Sequence, residues 1–303
     1  MNELLPVYIF GEVLYDCFPE NAPMLGGAPF NVAWHLQAFD VAPVMISAVG
    51  DDALGKNICQ QMQQWGLDTT QIQQDRQHPT GTVNVTIVDA EPSYDIVLNA
   101  AYDHISEQQL PQIIGEHFFY HGSLAARCPG SRTALERLHG LPGQKTFIDV
   151  NLRAPWWDKT WLRTMVHGAY CVKLNQHELA QLAALDDAPS EHCDLEELAL
   201  NYRLTNNITH LIVTLGAAGA FLVDETGNVV TPELTPQTSN IVDTVGAGDA
   251  FSAVLLLGML HQWDWRTTLE RAQQFAGFIV GQQGALSDNP AIYCDFKRLW
   301  GLI

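Results

Sequence analysis

The sequence predicts an α/β protein built on a mainly parallel sheet with helices on both faces. Three observations predict it. Short apolar runs suited to buried strands (Phe118–His121, Thr146–Val150, Ala169–Leu174, Leu211–Leu215) alternate with helical stretches (Ser131–His139, Gln176–Ala184, Leu195–Tyr202). That spacing leaves room for the crossover helix that parallel neighbours need. The 303 residues can bury one full core, and no repeat, linker or low-complexity break divides them. Residues 1–303 therefore read as one main domain.

In chain order, Val7–Phe10 is a first buried strand ending at Gly11. Asp16 follows shortly and, on this segment alone, reads as a solvated loop acid. Gly26-Gly27-Ala28-Pro29-Phe30-Asn31 is a glycine hinge into a helix, with Pro29 and Asn31 in the first turn. Val44–Val49 is a second strand, and Asp51 or Asp52 can cap the helix after it. Gln60–Gln77 reads as a solvated helix face and loop. Thr80–Val88 and Tyr94–Leu98 alternate and are rich in β-branched residues, with a turn at Glu91-Pro92-Ser93 between them. They form an antiparallel hairpin that interrupts the strand–helix rhythm, as a separate flap would.

Ligands of parallel α/β sheets sit at the carboxyl ends of the strands. Those ends carry Gly122-Ser123, then Asp149 with Asn151 and Arg153, then Asn175 and Glu178, then Thr214 with Gly216 and Gly219. Asn175 and Glu178 lie three apart, so both can point from one helix start; a capping box explains them equally well. Thr214–Gly219 makes a tight turn into Ala220–Val223 and lacks the lysine of a Walker loop. The most pointed stretch is Asp243-Thr244-Val245-Gly246-Ala247-Gly248-Asp249, just before the apolar run Ala250–Leu260. Small residues at 246–248 clear the backbone at a helix N-terminus, where unpaired N–H groups and the dipole favour an anion. Asp249 beside that turn fits phosphoryl transfer, with the acid receiving the acceptor's proton. Near a helix N-terminus it is expected to stay ionised.

Composition narrows the partners. Thirty-four acids against 15 basic residues give a formal charge of −19, which argues against nucleic acid and anionic membranes. The six scattered cysteines contain no CxxC pair, so neither a zinc site nor a disulfide framework is indicated. No apolar run is long enough for a membrane span and no basic leader opens the chain, so a cytoplasmic protein is expected. His121 and His177 lie near the strand ends but lack metal spacing. A G-x-S-x-G hydrolase elbow is missing, as is the dinucleotide glycine fingerprint after the first strand.

At this point the chain resembles the PfkB (ribokinase-like) family of carbohydrate kinases. Gly26–Ala33 resembles the family's N-terminal signature and Asp243–Phe251 its C-terminal one. Val49–Gly55, Asp149–Arg153, Leu174–Glu178 and Gly284-Ala285 are family-like as well, so the likeness covers nearly the whole chain. It implies a three-layer α/β/α sandwich with a mainly parallel, Rossmann-like sheet. It also implies a small β-sheet lid, here about 11–28 and 79–102, and ATP-dependent phosphorylation of a sugar hydroxyl. By position it implies Asp249 as the base and Gly246, Ala247 and Gly248 as the anion hole. Asp16, Gly27 and Asn31 would hold the sugar, with Ser123 and Arg153 beside them. Thr214, Gly216 and Gly219 would line the nucleotide. Asn175 and Glu178 would organise Mg²⁺ through water, and Asp243, Thr244 and Ser287 mark a K⁺ site. In this family lids often pair between subunits, which makes a homodimer the expected assembly.

Residues 11–31 and 77–105 contain no lysine or arginine. A phosphate or carboxylate on the substrate needs such a cation, so a neutral sugar is favoured, with Arg153 and, less so, Arg127 as reservations. The nearest likeness is to fructokinases. Ribose, 2-keto-3-deoxygluconate and nucleosides stay open as substrates, and a non-catalytic sugar and ATP sensor is the rival from another class.

Overall fold

The computed structural model describes residues 4–17, 22–88, 91–184, 194–233 and 241–303. β1 (Val7–Phe10) is followed by two short strands, β2 (Leu14–Cys17) and β3 (Met24–Gly26), and by α1 (Ala28–Ala38). Next come β4 (Val44–Gly50), α2 (Ala53–Trp65) and β5 (Ile72–Asp75), then the hairpin β6 (Gly81–Val88) and β7 (Glu91–Ile96). Strands and helices then alternate through β8 (His117–His121), α3 (Pro129–Leu138), β9 (Gln144–Asp149) and α4 (Lys159–Val166). The alternation continues with β10 (Cys171–Asn175), α5 (Gln176–Ala184), α6 (Leu195–Thr205) and β11 (His210–Thr214). The edge strands β12 (Ala220–Val223) and β13 (Val229–Val230) lead to α7 (Ala247–Leu260), α8 (Trp265–Ile279) and α9 (Pro290–Leu299).

Side-chain alternation along the strands makes the layers. Val7, Ile9, Phe118, Tyr120, Phe147 and Cys171 face one core, shared with α1, α7, α8 and α9. Phe10, Phe119, Ile148, Val172 and Leu174 face the other, shared with α3, α4, α5 and α6. The central sheet has nine strands in the order β13-β12-β11-β10-β9-β8-β1-β4-β5, and only β12 runs against the others, pairing antiparallel with β11 and β13. The three-layer expectation holds. The chain winds outward from β1 in both directions, so the crevice that such a reversal opens lies at the carboxyl end of β1.

The second sheet, β3-β2-β6-β7, stands apart. Both ends of its β6–β7 hairpin are tied to the main body. At the entry, Asp52 accepts the Thr80 N–H at 2.8 Å and its hydroxyl at 2.7 Å, and Thr80 Oγ1 accepts the Gly50 N–H at 3.0 Å. The same carboxylate caps α2 through Gly55 N–H. At the exit, Arg127 donates from Nε and Nη2 to both oxygens of Asp103 at 2.7 and 2.8 Å. Its Nη2 also reaches the Val97 carbonyl at 2.6 Å and the Tyr102 hydroxyl at 2.9 Å.

Three expectations change. Glu91–Ser93 lies within β7, where Val88 pairs with Glu91; residues 89–90 lie outside the described residues. A strand, β5, emerges inside Gln60–Gln77: Ile72 and Gln73 are buried there and pair in parallel with β4. Arg127 is not a spare cation for a substrate, because its charge is spent on Asp103.

Removing one partner of a buried ion pair strands the other, which costs about 3–5 kcal/mol. Arg127 and Asp103 have side chains only 2% and 0% exposed. Arg127→Ala is therefore expected to lower unfolding free energy by roughly 3 kcal/mol. Denaturant titration checks this, and a midpoint equal to that of the parent would refute it.

Candidate active site

The α7 N-terminus is shaped by its neighbours. Gly246 sits at φ 79° in the left-handed region, and a Cβ there would lie 2.3 Å from the Ala285 Cβ. Glycine alone lets the turn lie against the 284–285 loop. Asp243 fixes both pieces: Oδ1 accepts the Val245 N–H and Oδ2 the Gly284 N–H, each at 3.0 Å. No side chain caps α7; the Ala247 N–H bends back to the Thr244 carbonyl at 3.4 Å, and the Gly248 N–H has no described partner, as suits a ligand. Gly248 and Thr244 are exposed and Ala247 half-buried.

Asp249 points from the first turn of this helix. Its Oδ2 accepts the Asn31 Nδ2–H at 2.7 Å, which joins α7 to the first turn of α1. Asn31 is 4% exposed, and its own carbonyl oxygen is buried without a partner. Burial pushes the Asp249 carboxyl up to about 7, against the hydrogen bond from Asn31; the Asp149 charge adds to the rise, and Lys173 and Arg153 oppose it. The expectation that the helix end keeps Asp249 ionised is thus corrected: desolvation outweighs the dipole.

Asp16 stands on β2, with Gly26 between it and Asn31. A Cβ on Gly26 would be 3.2 Å from Asp16 Oδ2 and 4.0 Å from Asn31 Oδ1. Burial lifts Asp16 to about 6, and Arg153 pulls it back. Arg153 is exposed, yet its charge is felt at Asp16, Asp249 and Glu12. Gly27, at φ 112°, is needed because a Cβ would meet the Glu12 carbonyl at 2.6 Å. Glu12 itself is 3% exposed, with Oε2 unpartnered and the carboxyl pushed by burial up to about 7. Sequence reasoning passed over it. The available signal was an acid two residues beyond a largely buried strand.

A second omission is Lys173. Strand alternation puts Tyr120, Asp149 and Lys173 on the face toward α7, and register sets Lys173 beside Asp149. Lys173 Nζ donates to Asp149 Oδ1 and Oδ2 at 2.9 and 2.8 Å. Asp149 Oδ2 also accepts from Ser252 Oγ at 2.7 Å and from Tyr120 OH at 3.3 Å. A lysine inside a parallel strand buried on both faces demands an anionic partner; that was the signal.

Thr214, Gly216, Gly219, Thr244, Ala247 and Gly248 line one cavity of about 1060 Å³, which runs on past Phe251 and Phe278 between α7, α8 and α9. Asn175 and Glu178 form a complete capping box at α5. Asn175 Oδ1 accepts the His177 and Glu178 N–H groups, each at 2.9 Å, and Glu178 Oε2 accepts the Asn175 N–H at 2.8 Å. Glu178 Oε1 takes the Leu152 N–H at 2.7 Å, so this carboxylate also fixes the loop leading to Arg153. Glu178, in the first turn of α5, thus has a backbone N–H on each oxygen, and its expected water-mediated Mg²⁺ role would use the remaining lone pairs. Ser123 is buried and donates to the Asn151 carbonyl at 3.4 Å; no described bond joins it to Asp249. Of the residues expected at a K⁺ site, Asp243 and Ser287 already have hydrogen-bond partners. The Ser287 carbonyl already accepts from Trp34 Nε1 and Tyr293 OH, and both Asp243 oxygens hold backbone N–H groups.

The chain is similar to known proteins in sequence and fold. Over residues 23–292 the chain matches the model of the pfkB family carbohydrate kinases. It is 29% identical to a fructokinase of Escherichia coli, covering 94% of this chain and 96% of that one. It is 27% identical to an aminoimidazole riboside kinase of Salmonella typhimurium, over 96% and 93%. Among solved structures, a fructokinase of Vibrio cholerae with fructose, ADP and potassium ion superposes with a TM-score of 0.79 at 24% identity, covering 98% and 99%. With the turn at 243–249, the carboxylate of Asp249 at its end and the parallel sheet beneath, the chain belongs to the pfkB family of carbohydrate kinases.

Proposed function

We propose that this chain transfers the γ-phosphate of ATP to a hydroxyl of a neutral sugar, fructose first among them. The observation that carries this is the Asn31–Asp249 bond. It fixes one oxygen of the base, leaves the other for a hydroxyl proton, and sets an unsatisfied Asn31 carbonyl beside it to accept a second sugar hydroxyl. The sugar hydroxyl donates to Asp249 Oδ1. As its oxygen bonds to the γ-phosphorus, the bond to the ADP oxygen breaks and the proton passes to Asp249 late, as a loose transition state allows. The N–H groups of Ala247 and Gly248 take the charge on the transferring oxygens. Thr214, Gly216 and Gly219 hold the nucleotide, and Asp16 and Asn31 hold the sugar, with Arg153 at the mouth. Mg²⁺ carried on the phosphates supplies charge neutralisation, and Glu178 and Asn175 would hold it through water.

Arg127 serves the hairpin root and not the crevice, which supports an uncharged substrate; the fructose named for the Vibrio cholerae structure agrees. The aminoimidazole riboside kinase at similar identity makes a riboside the second reading. We further infer that the small sheet acts as a lid, that two copies pair through it, and that the protein works in the cytoplasm.

Coupled ADP-release assays across fructose, ribose, 2-keto-3-deoxygluconate, nucleosides and fructose 6-phosphate test the reading. Turnover of fructose is expected; turnover of acidic or phosphorylated sugars alone would overturn the neutral substrate. Asp249→Asn is expected to keep ATP binding and lose kcat by about 1,000-fold or more.

Because Asp249 must be ionised to accept a proton, kcat/KM is expected to rise with pH through about 7. A pH-rate profile flat from pH 5 to 8 would contradict this. The same shift acts on stability. Asp249 holds its proton more tightly in the folded chain (about 7) than at its ordinary value of 3.8, so stability is lost as pH rises between those values. Asp249→Asn, free of that loss, is expected to melt higher than the parent at pH 8, by roughly 1 kcal/mol in stability, and by less at pH 5.

A further inference from the structure

Lysine and arginine are scarce in this chain, and the phosphate-binding turn offers only neutral donors, yet a cation is built in directly beneath it. Lys173 is 6% exposed and Asp149 3%. Two of the three ammonium protons go to the Asp149 oxygens. The ammonium also lies against the turn: a Cβ built on Gly248 would be 3.6 Å from Lys173 Nζ. Glycine at that position leaves no side chain between the charge and the exposed face of the turn. Asp149 is held in place by Ser252 and Tyr120, and Ser252 Oγ also approaches the Gly248 carbonyl at 3.0 Å. The cluster thus joins β8, β9 and β10 to the first turn of α7.

A buried pair of this kind is weak support for folding, since apolar or neutral residues of similar shape often do as well. Its position gives it another use. We propose that Lys173 is a positioning residue of phosphoryl transfer: fixed from below by Asp149, its ammonium acts through Gly248 to favour a doubly charged terminal phosphate on the turn. In a water-poor site such a charge acts far more strongly than at the surface. The proposal rests on the kinase reading for its kinetic consequence and not for its binding consequence.

Three variants of the full chain test it. Lys173→Met with Asp149→Asn removes both charges while keeping volume, so it should fold and melt like the parent. It is expected to lower kcat about 100-fold with the sugar KM changed less than about 3-fold. Lys173→Ala is expected to lose activity and recover part of it with ethylammonium but not with propanol, which fills space without charge. Independently of turnover, calorimetry with ATP and ADP is expected to show the parent preferring ATP and the double variant losing that preference. Gly248→Ala reads the same contact from the other side: a methyl between ammonium and phosphate is expected to weaken the ATP preference without lowering the melting point. A well-folded double variant with parental kcat and parental ATP preference would overturn the proposal, as would equal rescue by propanol. A parent that binds ATP over ADP yet phosphorylates no sugar would count against the kinase reading alone.

Discussion

The hydrogen bond between Asn31 and Asp249 spans 218 positions of sequence, and the rest of the site depends on it. Asn31 stands in the first turn of α1 and Asp249 in the first turn of α7, and both helices pack on one face of the sheet. Two helix starts are brought together at the carboxyl end of β1, where the strand order reverses. Each start needed small residues for that meeting. Gly26 and Gly27 keep Asp16 and the Glu12 carbonyl from colliding with the chain, and Gly246 lets α7 begin against Ala285. The glycines of the two signatures are thus packing requirements as much as ligand contacts.

Most of the architecture was legible because it follows from periodicity. Buried parallel strands read as apolar runs, and the glycine turns and caps stand where the chain changes direction; Asp52 and Asn175 cap as their spacing predicts. The errors have a common physical source. Ile72–Asp75 is a strand only because β4 offers it an edge, and polar residues such as Gln73 carry no local sign of that tertiary pairing. Glu91–Ser93 holds a proline that favours a turn locally, while the ladder with β6 decides otherwise.

The site was legible in its ends and not in its depth. Asp249, Asn31 and the turn at 246–248 announce themselves by residue type at helix starts. Lys173 and Glu12 do not, because their meaning lies in which neighbours share their face. The protonation of Asp249 was misjudged for the same reason: helix position can be read from sequence, whereas desolvation needs the third dimension.

The half-buried base has one more consequence. Moving a phosphate from ATP to a sugar near neutrality releases a proton to the surroundings, and Asp249 ionises close to that range. Under the proposed role, acid released by the transfer would re-protonate the same carboxylate. In the role proposed for it, the carboxylate that takes the hydroxyl proton would also lose activity as its surroundings acidify.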